Sequence, residues 1–137
     1  MRRYLLDTDV ISALRRPDRA PRVAAWLRRC ERWQLFLSVV TLAEIARGIE
    51  RANRKDGRFP SELSRWFDDL QLAYEDRILP VTPRIAKRWG RLSIQIGNNS
   101  PDLLIAATAL EEHLVVATRN TRHFDPTGAE VLNPAAT

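Results

Sequence analysis

A three-layer α/β domain built around a mostly parallel sheet is the fold class this sequence predicts. Three observations carry the prediction. Short apolar runs at Tyr4–Leu6, Gln34–Val40 and Leu114–Ala117 alternate with stretches whose apolar residues recur at intervals of three and four. No repeat and no low-complexity segment interrupts that alternation. The 137 residues, 45% hydrophobic and 28% charged, suit one domain spanning 1–137, large enough to bury a core without disulfides.

The first strand, Tyr4–Leu6, ends abruptly at Asp7, and Val10–Leu14 reads as a short helix that stops before Arg15, Arg16 and Pro17. From Pro21 to Arg32, Val23, Trp26, Leu27 and Cys30 keep the helical period, with Pro21 in the first turn. Gln34–Val40 is the second strand. Thr41 opens a helix of three to four turns with Leu42, Ile45, Ala46 and Ile49 on one face, although Gly48 weakens it. Asp56–Pro60 has the composition of a turn. Ser61 is placed to cap a helix carrying Leu63, Trp66, Phe67 and Leu70, which packs against the preceding helix as a hairpin or offers an apolar face to a second copy.

Pro80 restricts Arg77–Val81 to an edge strand or a strand end. Thr82 and Pro83 have N-cap and first-position chemistry for a helix that closes at Gly97, followed by a turn at Asn98 and Asn99. Ser100, Pro101 and Asp102 start a helix that is apolar on every side, as a helix in the middle of a domain is. Leu114–Ala117 is the clearest strand, and the residues TRNTRHFDPTG after it read as a polar loop. Val131 and Leu132 supply a last edge strand, with a loose tail to Thr137.

No window approaches the 18 apolar residues that span a bilayer, and the first apolar run breaks too soon for a signal peptide, so the expected location is cytoplasmic. The lone cysteine, Cys30, forms no intrachain disulfide and has no metal-ligand spacing, which makes it a packing residue. The net charge is +5, and 20 of the 22 basic residues are Arg. Arg favours bidentate contact with phosphate, which suggests a polyanionic partner; solubility and base composition account for the same bias.

Three carboxylates stand at three helix starts: Asp7 after the first strand, Glu44 after the second, and Asp102 at the mouth of the apolar helix. In a parallel sheet these helix starts gather at one edge, outside the carboxyl ends of the strands, where ligands bind. Clustered carboxylates repel one another until a cation neutralises them, and oxygen-only donors suit magnesium or manganese. Such a metal activates water and stabilises charge on phosphate. Each acid also has a local explanation. Asp7 or Thr8 serves as an N-cap, Thr41 and Glu44 have capping-box spacing, and Asp102 complements a helix dipole. An unpaired charge at the start of so apolar a helix is costly, however, and that favours a functional Asp102.

The segments LLDTDVIS (5–12), SVVTLAEIARGIERA (38–52), SPDLLIAATAL (100–110) and VVATRNTRHFD (115–125) together resemble a PIN-domain ribonuclease, most closely the toxin of VapBC-type toxin-antitoxin pairs. The resemblance covers nearly the whole chain. It implies an α/β/α domain that binds Mg2+ or Mn2+ and cleaves RNA, with Asp7, Glu44 and Asp102 as the positions carried across. It also implies a homodimer and a cognate antitoxin that occludes the site. Where many members place a fourth acid this chain has Asn120, with His123 and Asp125 nearby; Asn120 adds no charge, which puts a second strongly held metal in doubt. Asp9 reads as a cap close to Asp7.

In the leading reading Asp7 and Asp102 bind the cation, Glu44 helps hold it and orients the attacking water, and Asn120 and Thr8 support the phosphate. One alternative makes DTDVI (7–11) the motif of an aspartyl-phosphate phosphatase with Asp7 as nucleophile, although Ile11 replaces the small or hydroxyl residue expected there. The other is a non-catalytic protein that binds RNA or a partner peptide in the same pocket.

Overall fold

Five short parallel strands lie in the order β3-β2-β1-β4-β5 in a computed structural model that describes residues 2–55 and 60–136. They are β1 (Tyr4–Leu6), β2 (Leu35–Ser38), β3 (Ile78–Leu79), β4 (Val115–Ala117) and β5 (Val131–Leu132). Helices α1 (Thr8–Arg15), α2 (Pro21–Arg29), α3 (Val39–Lys55), α4 (Pro60–Ala73), α5 (Pro83–Ile96), α6 (Pro101–Glu112) and α7 (Thr121–Phe124) connect them.

The period of two along each strand builds two cores. Tyr4, Leu6, Leu35, Leu37, Val115 and Ala117 face α1, α2 and α4, where Val10, Val23, Trp26, Leu27 and Leu70 are buried. Leu5 and Val116 face the other way, onto Ile85 and Leu92 of α5 and the buried residues of α6. Helices therefore cover both faces, the expected three layers. β1 sits in the centre with its chain neighbour β2 on one side and β4 on the other, so the order of strands reverses between β1 and β4. The crevice at the carboxyl ends of those two strands is the switch point of the sheet.

Local chemistry explains where the elements begin and end. α1 starts earlier than the apolar pattern suggests because Asp7 caps it, its carboxylate accepting from the Thr8 N–H, and it runs on through Arg15. α2 ends at Arg29, not Arg32: Cys30 is already extended, and Glu31 and Gln34 form a capping box around a 3-10 turn at Arg32–Gln34. Gln34 therefore belongs to that turn and β2 begins at Leu35. β2 also stops early, at Ser38, whose hydroxyl accepts from the Val40 N–H and turns the chain into α3 two residues before Thr41. α3 continues through Gly48.

Of the turn expected at 56–60, residues 56–59 lie outside the described residues; α4 begins at Pro60, so Ser61 lies in its first turn and is not its cap. α4 packs on α3 as a helical hairpin, with Trp66 and Phe67 against the first core. Thr82 and Gly97 cap α5 as expected, Gly97 with φ 89°. The polar run after β4 is not a loop. It folds as α7 and a 3-10 turn at Asp125–Thr127, because Phe124 is wholly buried in the second core. The tail is not loose up to Ala136 either: Pro134–Ala136 forms a 3-10 turn against α2, with Pro134 buried and the Arg22 guanidinium 3.5 Å from the Ala135 carbonyl, and Thr137 lies outside the described residues. Cys30 packs against the first core, and burial pushes its thiol up, away from the reactive thiolate. Among the described residues no helix is long and apolar enough to cross a membrane.

Candidate active site at the switch point

Asp7 is the buried polar residue at the centre of the switch point. Its amide N–H donates to the Ala117 carbonyl at 3.0 Å, which extends the β1–β4 ladder one residue past β1. One carboxylate oxygen accepts from the Thr8 N–H at 2.9 Å and the other from the Thr118 hydroxyl at 2.9 Å. Thr118 thus follows β4 as Asp7 follows β1, and the two side chains meet across the crevice. Burial pushes the Asp7 carboxyl up to about 6, and the charges of Asp9 and Asp102 act in the same direction, against the two hydrogen bonds.

Glu44 reaches this centre from α3, accepting from the Thr8 hydroxyl at 2.9 Å. The capping box expected around it does not form. Thr41 lies inside α3, fully buried, and its hydroxyl has no partner among the described residues. Asp102, in the first turn of α6, pairs with His123 Nδ1 at 3.0 Å. Ser100 occupies the N-cap position of α6 without a side-chain capping bond.

The β4–α7 connection completes the rim. Asn120 is exposed and holds the N-cap position of α7, its N–H donating to the Thr118 hydroxyl at 3.0 Å. Asp125 is exposed in the 3-10 turn beyond α7. Asp9 is not a cap. One of its oxygens accepts from the Arg119 N–H at 3.0 Å, Arg119 also donates to the Asp9 carbonyl at 2.9 Å, and the other Asp9 oxygen is buried without a partner among the described residues. Asp9 therefore clamps this connection onto the first turn of α1.

Neither Thr118 nor Arg119 stands out in the sequence as a site residue. The signal available was positional: Thr118 directly follows the clearest strand, the place that Asp7 holds after β1. Thr118→Val is expected to raise the Asp7 pKa further above about 6, since the lost bond favours the charged form. A carboxyl-carbon NMR titration reads the shift, and an unmoved Asp7 would contradict the assigned hydrogen bond.

Carboxylate and hydroxyl oxygens make up the donors around Asp7, and that set fits a hard divalent cation. The unpartnered Asp9 oxygen and the mutual repulsion of Asp7, Asp9 and Asp102 are what a bound cation would relieve. Among the described residues, however, no three His, Cys, Asp or Glu side chains already stand as a metal site. Glu44 and Asp102 each give an oxygen to Thr8 or His123, and a cation would have to compete for them.

A parallel sheet of order 3-2-1-4-5 with an acid-rimmed switch point defines a class, and the chain matches that class over residues 4–129: it belongs to the PIN domain family. Within that family it is 48% identical over 69 residues to ribonuclease VapC14 of Mycobacterium tuberculosis, covering 50% of this chain and 67% of that one. It is 32% identical over 136 residues to toxin FitB of Neisseria gonorrhoeae, covering 95% and 96% of the two chains. The crystal structure of FitAcB from Neisseria gonorrhoeae superposes with a TM-score of 0.83 at 33% identity, covering 96% of this chain and 97% of that one.

Proposed function

We propose that this chain is a ribonuclease dependent on Mg2+ or Mn2+, and the toxin of a toxin-antitoxin pair. The observation that carries the reading is the convergence of four acids on the switch point: buried Asp7 repelled by Asp9 and Asp102, with Glu44 joined to it through Thr8. The relatives support it, one named a ribonuclease and another a toxin. Asp7, Glu44 and Asp102 would hold the cation, which supplies charge stabilisation at phosphorus and a more acidic bound water.

This chain's own groups do the rest. Glu44 orients the attacking water, whose oxygen bonds to phosphorus as the ester P–O bond breaks, and Thr8 keeps Glu44 turned toward Asp7. Asn120 offers a hydrogen bond to the phosphate, whereas the support expected from Thr8 is taken up, its hydroxyl proton by Glu44 and its N–H by Asp7. His123 holds Asp102 in place. A cognate antitoxin and a homodimer belong to the same proposal; Ile94 on α5, 85% exposed, is an apolar side chain that a second copy could cover. The phosphatase reading gains nothing, since Ile11 is fully buried in the core.

Incubation of total RNA with the purified chain and with Asp102→Asn tests the proposal. Discrete products are expected with magnesium or manganese, none with EDTA, and a loss of two to three orders of magnitude in the variant, roughly the cost of removing a preorganised charge-stabilising group. Folded protein that cuts with neither metal would overturn the ribonuclease and leave binding without turnover.

A further inference from the structure

Beyond Arg119, His123 is the one residue among those described whose side chain meets an acid of the site, its Nδ1 lying 3.0 Å from an Asp102 oxygen. Asn120 and Asp125 are exposed at the rim. Three restraints fix the imidazole. α7 packs against α6, whose first turn carries Asp102; the His123 N–H donates to the Asn120 carbonyl at 3.1 Å; and the next residue, Phe124, is wholly buried. The pair itself adds little stability, because the His123 side chain is 61% exposed and water screens such contacts.

The spacing suits another purpose. Two donors held about 2.1 Å from one octahedral ion, at right angles to each other, stand about 3.0 Å apart. Asp102 and His123 are thus already set as neighbouring ligands. We propose that His123 is a fourth protein ligand beside Asp7, Glu44 and Asp102, and that its nitrogen makes the site prefer Mn2+ and its first-row neighbours to Mg2+. The proposal takes its cation from the metal-dependent reading above and deepens that reading by naming the ion. Donor chemistry decides the preference. Mg2+ takes oxygen donors and keeps its waters, whereas an imidazole nitrogen strengthens the binding of transition ions. Asp102 also lies close enough to Asp7 for the two charges to repel, so one ion serves both. Among the described residues no third ligand yet stands with the pair, and Asp7 and Glu44 close on the ion as it binds.

The chain has one other histidine, His113, which caps the far end of α6, about 16 Å along the helix from Asp102. A nitrogen found on the bound ion is therefore that of His123. His123→Gln provides the test, since glutamine keeps a hydrogen-bond donor for Asp102 but has no imidazole. It largely replaces a histidine needed only to hold Asp102, and a thermal melt checks that it folds.

Electron spin echo spectroscopy of Mn2+ bound to the untagged, RNA-free chain gives the direct readout. The native protein should show modulation by a directly bound nitrogen, and His123→Gln should lose it. Separate titrations with Mn2+ and Mg2+ give the second readout. His123→Gln should weaken Mn2+ at least about tenfold, no less than the loss of an outer-shell partner, and leave Mg2+ nearly unchanged. Bound Mn2+ without the nitrogen signal, no Mn2+ binding, or equal losses for the two ions would overturn the proposal and leave His123 to position Asp102. RNA cleavage by the native chain separates this result from the reading beneath it. Cutting with Mg2+ by a chain whose Mn2+ shows no nitrogen keeps the ribonuclease and loses the ligand; a nitrogen signal in a chain that never cuts does the reverse.

Discussion

Asp7→Asn is expected to abolish RNA cleavage while leaving the chain as stable as before, or more so. The loss should reach at least about 10²- to 10³-fold, because the residue taken away is the one on which the other acids converge. The stability follows from the sign of the Asp7 shift. Its carboxyl rises from 3.8 to about 6 on folding, so between those pH values the native chain holds a proton that the unfolded chain has released. The contribution of Asp7 to stability is therefore fully present below the unfolded value and is lost as the pH rises through about 6, by about 3 kcal/mol over the full shift.

Asparagine removes the charge yet keeps both bonds. Its oxygen accepts from the Thr8 N–H, and its amide donates to the Thr118 hydroxyl, which then acts as acceptor. Urea unfolding in EDTA should find the two proteins similar at pH 4 and the variant ahead by about 1–3 kcal/mol at pH 7.5. A variant that is weaker at pH 7.5 would show Asp7 to be a structural cap first.

The second large effect is expected at Arg77, far from the acids. This guanidinium is buried, and it donates to the Arg32 carbonyl at 2.5 Å, the Leu35 carbonyl at 3.0 Å and the Ala73 carbonyl at 2.7 Å. It also lies 4.5 Å from the Tyr74 ring centroid. One side chain thus joins the end of α4, the 3-10 turn before β2 and the approach to β3. Arg77→Met keeps much of the volume but takes the guanidinium from three carbonyls, of which that of Arg32 keeps the Leu35 N–H and that of Ala73 keeps the Arg32 guanidinium at 3.4 Å, so a loss of about 2–4 kcal/mol is expected. Arg77→Lys should recover only part of it, since one ammonium cannot reproduce the planar fork. Chemical denaturation of both variants checks this, and a loss below about 1 kcal/mol would contradict the staple.

Much of the fold was legible because period and caps agreed. Tyr4–Leu6 and Leu114–Ala117 read as strands from their apolar runs, and α5 from Thr82, Pro83 and Gly97. The errors share a cause, a side chain whose partner lies far along the chain. Phe124 sits in a polar run and folds that run only because the second core receives it. Glu44 looked like half of a capping box with Thr41, but Ser38 starts the helix and Thr8, 36 residues away, takes the carboxylate. Asp9 looked like a cap, and its partner Arg119 stands 110 residues on. Arg77 read as the start of a weak strand because three carbonyls from two other segments cannot be inferred from RILPV. Asp7 lies at a strand-to-helix junction as its spacing predicts, and Asp102 at the start of the apolar helix, which follows another helix. Glu44 is not in the first turn of its helix but one turn further in, because α3 starts at Val39, and Thr118 required knowing that β4 lies beside β1.

Manganese binding tests most directly whether Asp7, Glu44 and Asp102 share one cation. Titration of Mn2+ into the RNA-free chain, followed by electron paramagnetic resonance of the free ion, should show one bound ion. Asp7→Asn, Glu44→Gln and Asp102→Asn should each weaken it at least about tenfold, as should adding excess Mg2+ as a competitor. Binding that survives all three substitutions, or no binding by the native chain, would contradict the account.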